Sequence, residues 1–351
     1  MSYIKKPVAR HPSLKPNKLG LTVRDYEGSM STLCAGCGHD SVTAAIIRAF
    51  HELDTPPHMV AKMSGIGCSS KTPTYFLSGA HGFNSAHGRM PAIATGASAA
   101  NKELICIGVS GDGDSMSIGL GQLCHAVRRN VNMLYIIENN GVYGLTKGQF
   151  SASSDLGSKS KRGEPNTQPP IDPAMLALSI GATFVARAFS GDKDLLVPIL
   201  KAGIRHKGLA LVDVISPCVT FNDHDGSTKS YAYTRQHQSA VTVTDFIPHA
   251  EEITAEIAED GVTNVTLHDG SVVRFRKVAA DYDPSNRTKV TTYLQERQAS
   301  GEVPVGLLYL DEKGVEMHEE AKTVDTPLAR VPYEELCPGS AALDRLQELY
   351  R

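Results

Sequence analysis

Three short runs of almost unbroken apolar residues constrain this chain more than any other feature: Leu104–Val109, Met133–Ile137 and Ala210–Ile215. Runs of this length without polar alternation fit strands covered on both faces, the condition of a parallel sheet flanked by helices. Helical periodicity occupies the intervals, at Ser41–Leu53, Ile118–Arg129, Pro173–Ile180 and Asp192–Ala202, with further short strands expected at Met59–Met63 and Thr183–Ala186. The fold class expected from about 40 to 216 is therefore α/β with a parallel sheet.

The flanks differ in character. Residues 1–30 are basic and interrupted by Pro7, Pro12 and Pro16, which predicts an extended arm. After 235 the pattern changes: Val262–Val278 alternates about Asp269-Gly270 like a hairpin, and Ala280–Gly301 and Ala341–Arg351 read as amphipathic helices. The expected organisation is an arm (1–30), the α/β domain (31–235) and a C-terminal α+β extension (236–351), with no internal repeat. The polar, Pro-rich stretch from Gln149 to Pro173 predicts a long surface loop near the strand ends.

With 351 residues, 41% of them apolar, the chain can bury a large core. A net charge of −3 with both signs interspersed excludes the electrostatic footprint of a nucleic-acid binder or a polybasic membrane anchor. No apolar run follows the early lysines, so neither a signal peptide nor a spanning helix is expected, and the chain reads as cytoplasmic. In a reducing compartment its seven cysteines point to metal binding, redox chemistry or plain burial rather than disulfides.

Two segments at strand C-termini carry the chemistry. One apolar strand runs into Gly111-Asp112-Gly113-Asp114, and the next into Asn139-Asn140-Gly141-Val142-Tyr143-Gly144. That edge of an open parallel sheet is where ligands bind. Diphosphate is too highly charged for amides alone, and Mg²⁺ takes hard oxygen ligands of the kind that Asp112 and Asn140 supply. The paired segments closely resemble the thiamine diphosphate motif. Cys34 and Cys37 form a C-x-x-C, while Cys68 and Cys218 lie just beyond strands, so all four are expected at the same edge. Four thiolates suit zinc as well as an iron–sulfur cluster. Cys106, Cys124 and Cys337 read as structural.

The segments CAGCGH, SGIGCSSK, HGRMPAIATG, GDGDSMSIG, HAVRRN, ENNGVYGLTKGQ and SPC, in this order, resemble the β subunit of 2-oxoacid:ferredoxin oxidoreductases over residues 30 to 235. The resemblance implies a [4Fe–4S] cluster on Cys34, Cys37, Cys68 and Cys218, and Mg²⁺ on Asp112, Asn140 and the Val142 carbonyl. It further implies that Ile66, Gly67, Cys68, Ser69, His87, Gly113, Asp114, Gly144 and Leu145 line thiamine diphosphate, with Lys71, Leu145 and Lys147 on the substrate side. The implied reaction is oxidative decarboxylation of a 2-oxoacid with coenzyme A and ferredoxin. A partner α subunit would supply the missing pyrimidine-side domain and its glutamate, in an αβ heterodimer or a dimer of such heterodimers. The stretch FNDHDGSTKSY is similar to members acting on 2-oxoglutarate. Pyruvate or a branched-chain 2-oxoacid, a cluster-free thiamine diphosphate decarboxylase or synthase, and a non-catalytic metal-binding scaffold are the alternatives.

Overall fold

The computed structural model describes residues 12–159, 163–247, 262–266, 271–277, 282–337 and 339–351. Its centre is an eight-stranded sheet. Four of the strands are β1 (Val60–Ser64), β2 (His81–Asn84), β3 (Ile105–Gly111) and β4 (Met133–Asn139). Across the sheet the order is β2, β1, β3, β4, Leu209–Ile215, Phe184–Phe189, Val303–Leu310 and Gln238–Ala240. All neighbours pair in parallel except Val303–Leu310 against Phe184–Phe189.

The apolar runs form strands because successive side chains enter different cores. Ile107, Val109, Leu134 and Ile136 face one helical layer, where Val42, Ile46 and Phe50 of helix α1 (Gly38–Glu52) and Leu196 and Leu200 of Lys193–Arg205 pack. Cys106, Met133, Tyr135 and Ile137 face the other, with Met90, Ala94, Leu123 and Val127. Burial on both faces removes the alternation that a half-exposed strand would show.

Two elements escape the sequence reading. β2 is HGFN, an exposed edge without an apolar signal, and the helix Met90–Ala100 buries only Met90, Pro91, Ala94 and Ser98. The C-terminal stretch supplies a strand to the main sheet, Val303–Leu310, whose partner lies more than a hundred residues earlier. Val262–Thr266 and Val272–Lys277 pair antiparallel as expected of a hairpin, and Thr242–Ile247 completes their sheet. The expected turn at Asp269-Gly270 and the first residues of the arm lie outside the described residues. Helices stand at Arg287–Ala299 and Ser340–Glu348. Among the described residues, no helix is long and apolar enough to cross a membrane.

The strand register sets up the site. Gly111 lies opposite Glu138, and Asn139 opposite Ile215, so three strands end at one level. From β1 the chain turns outward to β2, whereas from β3 it turns the other way to β4. The carboxyl ends of β1 and β3 thus flank a topological switch point, where the diverging connections leave a crevice.

Candidate active site

Asp112 follows β3 directly and begins a π-helical turn over Gly113–Ile118. Its carboxylate is 1% exposed. One oxygen, Oδ2, receives the hydroxyls of Ser151 and, at 2.5 Å, Ser153. The Asn140 backbone N–H also donates to the carboxylate, and burial pushes its pKa up. A cation would relieve that desolvation and hold the group ionised. Asn140 is buried, and its side-chain Oδ1 accepts from the Val142 N–H at 3.0 Å, which folds the loop so that the Val142 carbonyl joins the same segment. A buried carboxylate, an amide oxygen and a backbone carbonyl are a hard-oxygen donor set of the kind Mg²⁺ takes.

The segment after Gln149 is not wholly superficial. Ser151, Ser153 and Ser154 are buried. Polar residues occupy this position because each hydroxyl finds a partner: Ser153 also lies 2.8 Å from Asn139 Oδ1, and Ser154 donates to the Gly141 carbonyl at 2.5 Å. Behind them, Asn139 Nδ2 donates to Asp213, and Arg187 bridges Asp213 and Asp172 at 2.8 and 2.6 Å. These serines carried no sequence signal beyond proximity to the strand ends.

Four cysteines from distant segments converge beside this cradle. Cys37 caps α1, Cys68 follows the loop after β1, and Cys218 follows the strand Leu209–Ile215. A β-carbon on Gly144 would lie 3.4 Å from the Cys68 sulfur and 3.7 Å from that of Cys218, so the two thiols flank one glycine. Burial raises the Cys37 thiol to about 12, with the Cys218 charge adding to the effect. Burial likewise raises Cys68 and Cys218, and each also senses Cys34. Thr220 Oγ1 donates to the Cys34 sulfur at 3.5 Å. Among the described residues, no three or more His, Cys, Asp or Glu side chains are arranged to hold a metal ion. Cys106 packs in the core with Met90 and Met133, Cys124 is half-buried and Cys337 is exposed.

The other expected residues divide by burial. Ile66 and Gly67 form a half-buried loop at the crevice. Ser69 is buried against Gly111, where a β-carbon would come within 2.8 Å of its hydroxyl. The Gly113 carbonyl accepts from the Tyr143 hydroxyl at 3.0 Å. Asp114 is occupied inside the protein: its carboxylate accepts from the Gly88 N–H at 2.8 Å, the Ile66 N–H at 3.2 Å and the Ser110 hydroxyl at 2.6 Å. It thereby ties the loop after β1 to the turn before the helix Met90–Ala100. Lys71 is half-buried, and its charge partly offsets the rise that burial imposes on the Cys68 thiol. His87, Leu145 and Lys147 are exposed.

Two buried titratable groups stand between cradle and thiols. Glu138, the residue before Asn139, is fully buried, accepts from the Thr72 hydroxyl at 3.0 and 3.1 Å, and is pushed well above the ordinary carboxylate range by burial. His39 Nδ1 lies 2.6 Å from the Ser216 hydroxyl and 3.4 Å from Glu138, and burial lowers its pKa to about 4. A lone acid closing an apolar strand was the signal available for Glu138.

Comparison with known proteins agrees with this geometry. Residues 63–214 match the thiamine pyrophosphate enzyme C-terminal TPP-binding domain, a span running from β1 to the strand that precedes Cys218. The chain is 46% identical over 191 residues to the 2-oxoacid:ferredoxin oxidoreductase subunit beta of Saccharolobus solfataricus, which covers 54% of this chain and 63% of that protein. It is 35% identical over 189 residues to the 2-oxoglutarate synthase subunit KorB of Methanocaldococcus jannaschii, covering 54% of this chain and 69% of that one. A solved 2-oxoglutarate:ferredoxin oxidoreductase from Magnetococcus marinus, with 2-oxoglutarate, coenzyme A and succinyl-CoA bound, superposes with a TM-score of 0.70 at 29% identity, over 89% of this chain and 92% of that one. With a TPP-binding domain at the switch point of its sheet and relatives of this kind, the chain belongs to the family of 2-oxoacid:ferredoxin oxidoreductase β subunits.

Proposed function

We propose that this chain is the cofactor-bearing half of an enzyme that oxidatively decarboxylates 2-oxoglutarate to succinyl-CoA, passing electrons to ferredoxin. The observation that carries this reading is the adjacency of two donor sets: the Asp112–Asn140–Val142 oxygens and the thiols of Cys34, Cys37, Cys68 and Cys218, of which Cys68 and Cys218 lie beside Gly144, two residues after Val142. Thiamine diphosphate tied by Mg²⁺ supplies the carbanion for decarboxylation when bound, and a [4Fe–4S] cluster supplies one-electron transfer.

The chain's own residues do the rest. Asp112, Asn140 and Val142 hold the cation, and Ser151 and Ser153 fix the carboxylate that faces it. Ile66, Gly67, Ser69, Gly113 and Gly144 present small or backbone surfaces to the cofactor. Asp114 shapes the crevice from behind, and His87 stands at its rim. Lys71 and Lys147 provide cations for the substrate's carboxylates, and Leu145 gives the cofactor an apolar support. The cluster reading is favoured over zinc because oxidation beside thiamine diphosphate needs a nearby electron acceptor, and zinc has no redox chemistry.

We assign 31–235 to the cofactor domain, and surfaces of 1–30, of the loop from Gln149 and of 236–351 outside the strands Gln238–Ala240 and Val303–Leu310 to contact with an α subunit, in an αβ heterodimer or a dimer of them. Ligand thiols of this kind require a reducing compartment, which puts the complex in the cytoplasm. The preference for 2-oxoglutarate rests on the substrate for which the Methanocaldococcus jannaschii and Magnetococcus marinus proteins are named and on FNDHDGSTKSY. The test is anaerobic purification with the α subunit and an assay of a 2-oxoacid panel with coenzyme A and a viologen dye. Fastest dye reduction with 2-oxoglutarate is expected; preference for pyruvate or a branched-chain acid would overturn the substrate, and an iron-free active complex would overturn the cluster.

A further inference from the structure

We propose that His39 is a positioning residue that selects which end of the Asn140 amide faces the cation; this rests on the cofactor reading above. Asn140 Nδ2 lies 3.4 Å from His39 Nε2, and both side chains are buried. An amide nitrogen only donates, so Nε2 is the acceptor and the ring proton sits on Nδ1, directed at the Ser216 hydroxyl 2.6 Å away.

The orientation matters because the two ends of an asparagine amide have similar shape and opposite polarity. Turned over, Asn140 would present an NH₂ group to a divalent cation. His39 opposes this at one end by accepting from Nδ2, while the Val142 N–H opposes it at the other by donating to Oδ1 at 3.0 Å. If the amide flips, the Val142 contact is lost, and His39 keeps its own only by moving the ring proton from Nδ1 to Nε2 and reversing its bond with Ser216.

The ring is itself held by the start of α1, which presses onto the segment leading to Cys218. The Gly38 N–H donates to the Pro217 carbonyl at 3.2 Å, and a β-carbon on Gly38 would come within 2.6 to 2.8 Å of Ser216 and Pro217. One side chain, two residues after Cys37, thus spans from the start of the cysteine-bearing helix to the cation side of the cradle. Ser216 and Glu138 lie against its other nitrogen, which leaves Nε2 to Asn140.

Glutamine places an acceptor oxygen at about the reach of Nε2, whereas asparagine reaches only to Nδ1. The experiment compares His39→Gln, His39→Asn and His39→Ala in the complex with the α subunit, by calorimetric titration of thiamine diphosphate with Mg²⁺ and by iron content. Loss of a group that orients a metal ligand weakens affinity by about 10- to 100-fold. That loss is expected in the Ala and Asn variants, with Gln close to wild type and iron retained. Equal affinity in the Gln and Asn variants, whether both kept or both lost, or undiminished affinity in the Ala variant, overturns the proposal. A wild-type complex that fails to bind thiamine diphosphate with Mg²⁺ would instead bring down the cofactor reading on which it rests.

Discussion

The Ser153 hydroxyl lies 2.5 Å from the Asp112 carboxylate, joining a loop more than thirty residues downstream to the end of a central strand. Through Ser153 the carboxylate connects to Asn139, and from there to Asp213 and Arg187. The cradle is therefore tied through this loop to the strands of the sheet.

Asp112→Ala should abolish Mg²⁺-dependent thiamine diphosphate binding, because it removes the buried carboxylate of the donor set. Asn140→Ala should weaken it less. Ser153→Ala should weaken it by roughly tenfold, since a hydrogen bond to a charged group contributes about 1.5–3 kcal/mol and the second hydroxyl, from Ser151, remains. Calorimetry on the purified complex checks all three, and unchanged affinity in Asp112→Ala would refute the site.

Replacing Cys34, Cys37, Cys68 or Cys218 by Ser should lower iron content and electron transfer while leaving thiamine diphosphate affinity largely intact. Cys106→Ser, in the core of β3, should leave iron unchanged. Gly144→Ala should be tolerated, because its added carbon meets the two sulfurs at ordinary contact distance, but Gly144→Val should displace them. Iron assays under anaerobic conditions decide, and full occupancy in Cys68→Ser would sink the assignment.

Lys62 offers a pH test of stability. It is buried in β1, donates to the Phe76 and Leu77 carbonyls at 2.5 and 2.8 Å, and burial lowers its pKa to about 8. In the unfolded chain the group titrates near the ordinary lysine value, so between about pH 8 and about pH 10.5 the unfolded state binds more protons than the folded one. Within that window Lys62 makes stability rise with pH, by up to about 3 kcal/mol across it. Lys62→Met should remove this rise, which denaturant unfolding at pH 7.5 and pH 10 measures. Parallel pH profiles for both proteins would contradict the assignment.

The chain alone should be inactive with any 2-oxoacid and become active on addition of an α subunit that carries the pyrimidine-side glutamate. A cofactor on an uncovered domain face is exposed to water, which such chemistry must exclude. Coenzyme A-dependent dye reduction by the purified chain by itself would show that the missing half is not needed.

What was legible in the amino-acid order is what depends on short-range pattern. The runs Leu104–Val109, Met133–Ile137 and Ala210–Ile215 announced central strands because burial on both faces leaves no polar alternation to disguise them. Asp112, Asn140 and Cys218 could be assigned to one edge because each follows such a strand, and strand direction in a parallel sheet is shared. The tertiary structure alone decided the rest. That Ser153 would reach Asp112, that His39 would meet Asn140 and Ser216, and that Val303–Leu310 would pair with Phe184–Phe189 depends on how distant segments cross, which no local periodicity encodes. Buried polar residues such as Glu138 and Ser151 look like loop or surface residues in one dimension, because only the packed chain supplies the partners that allow their burial.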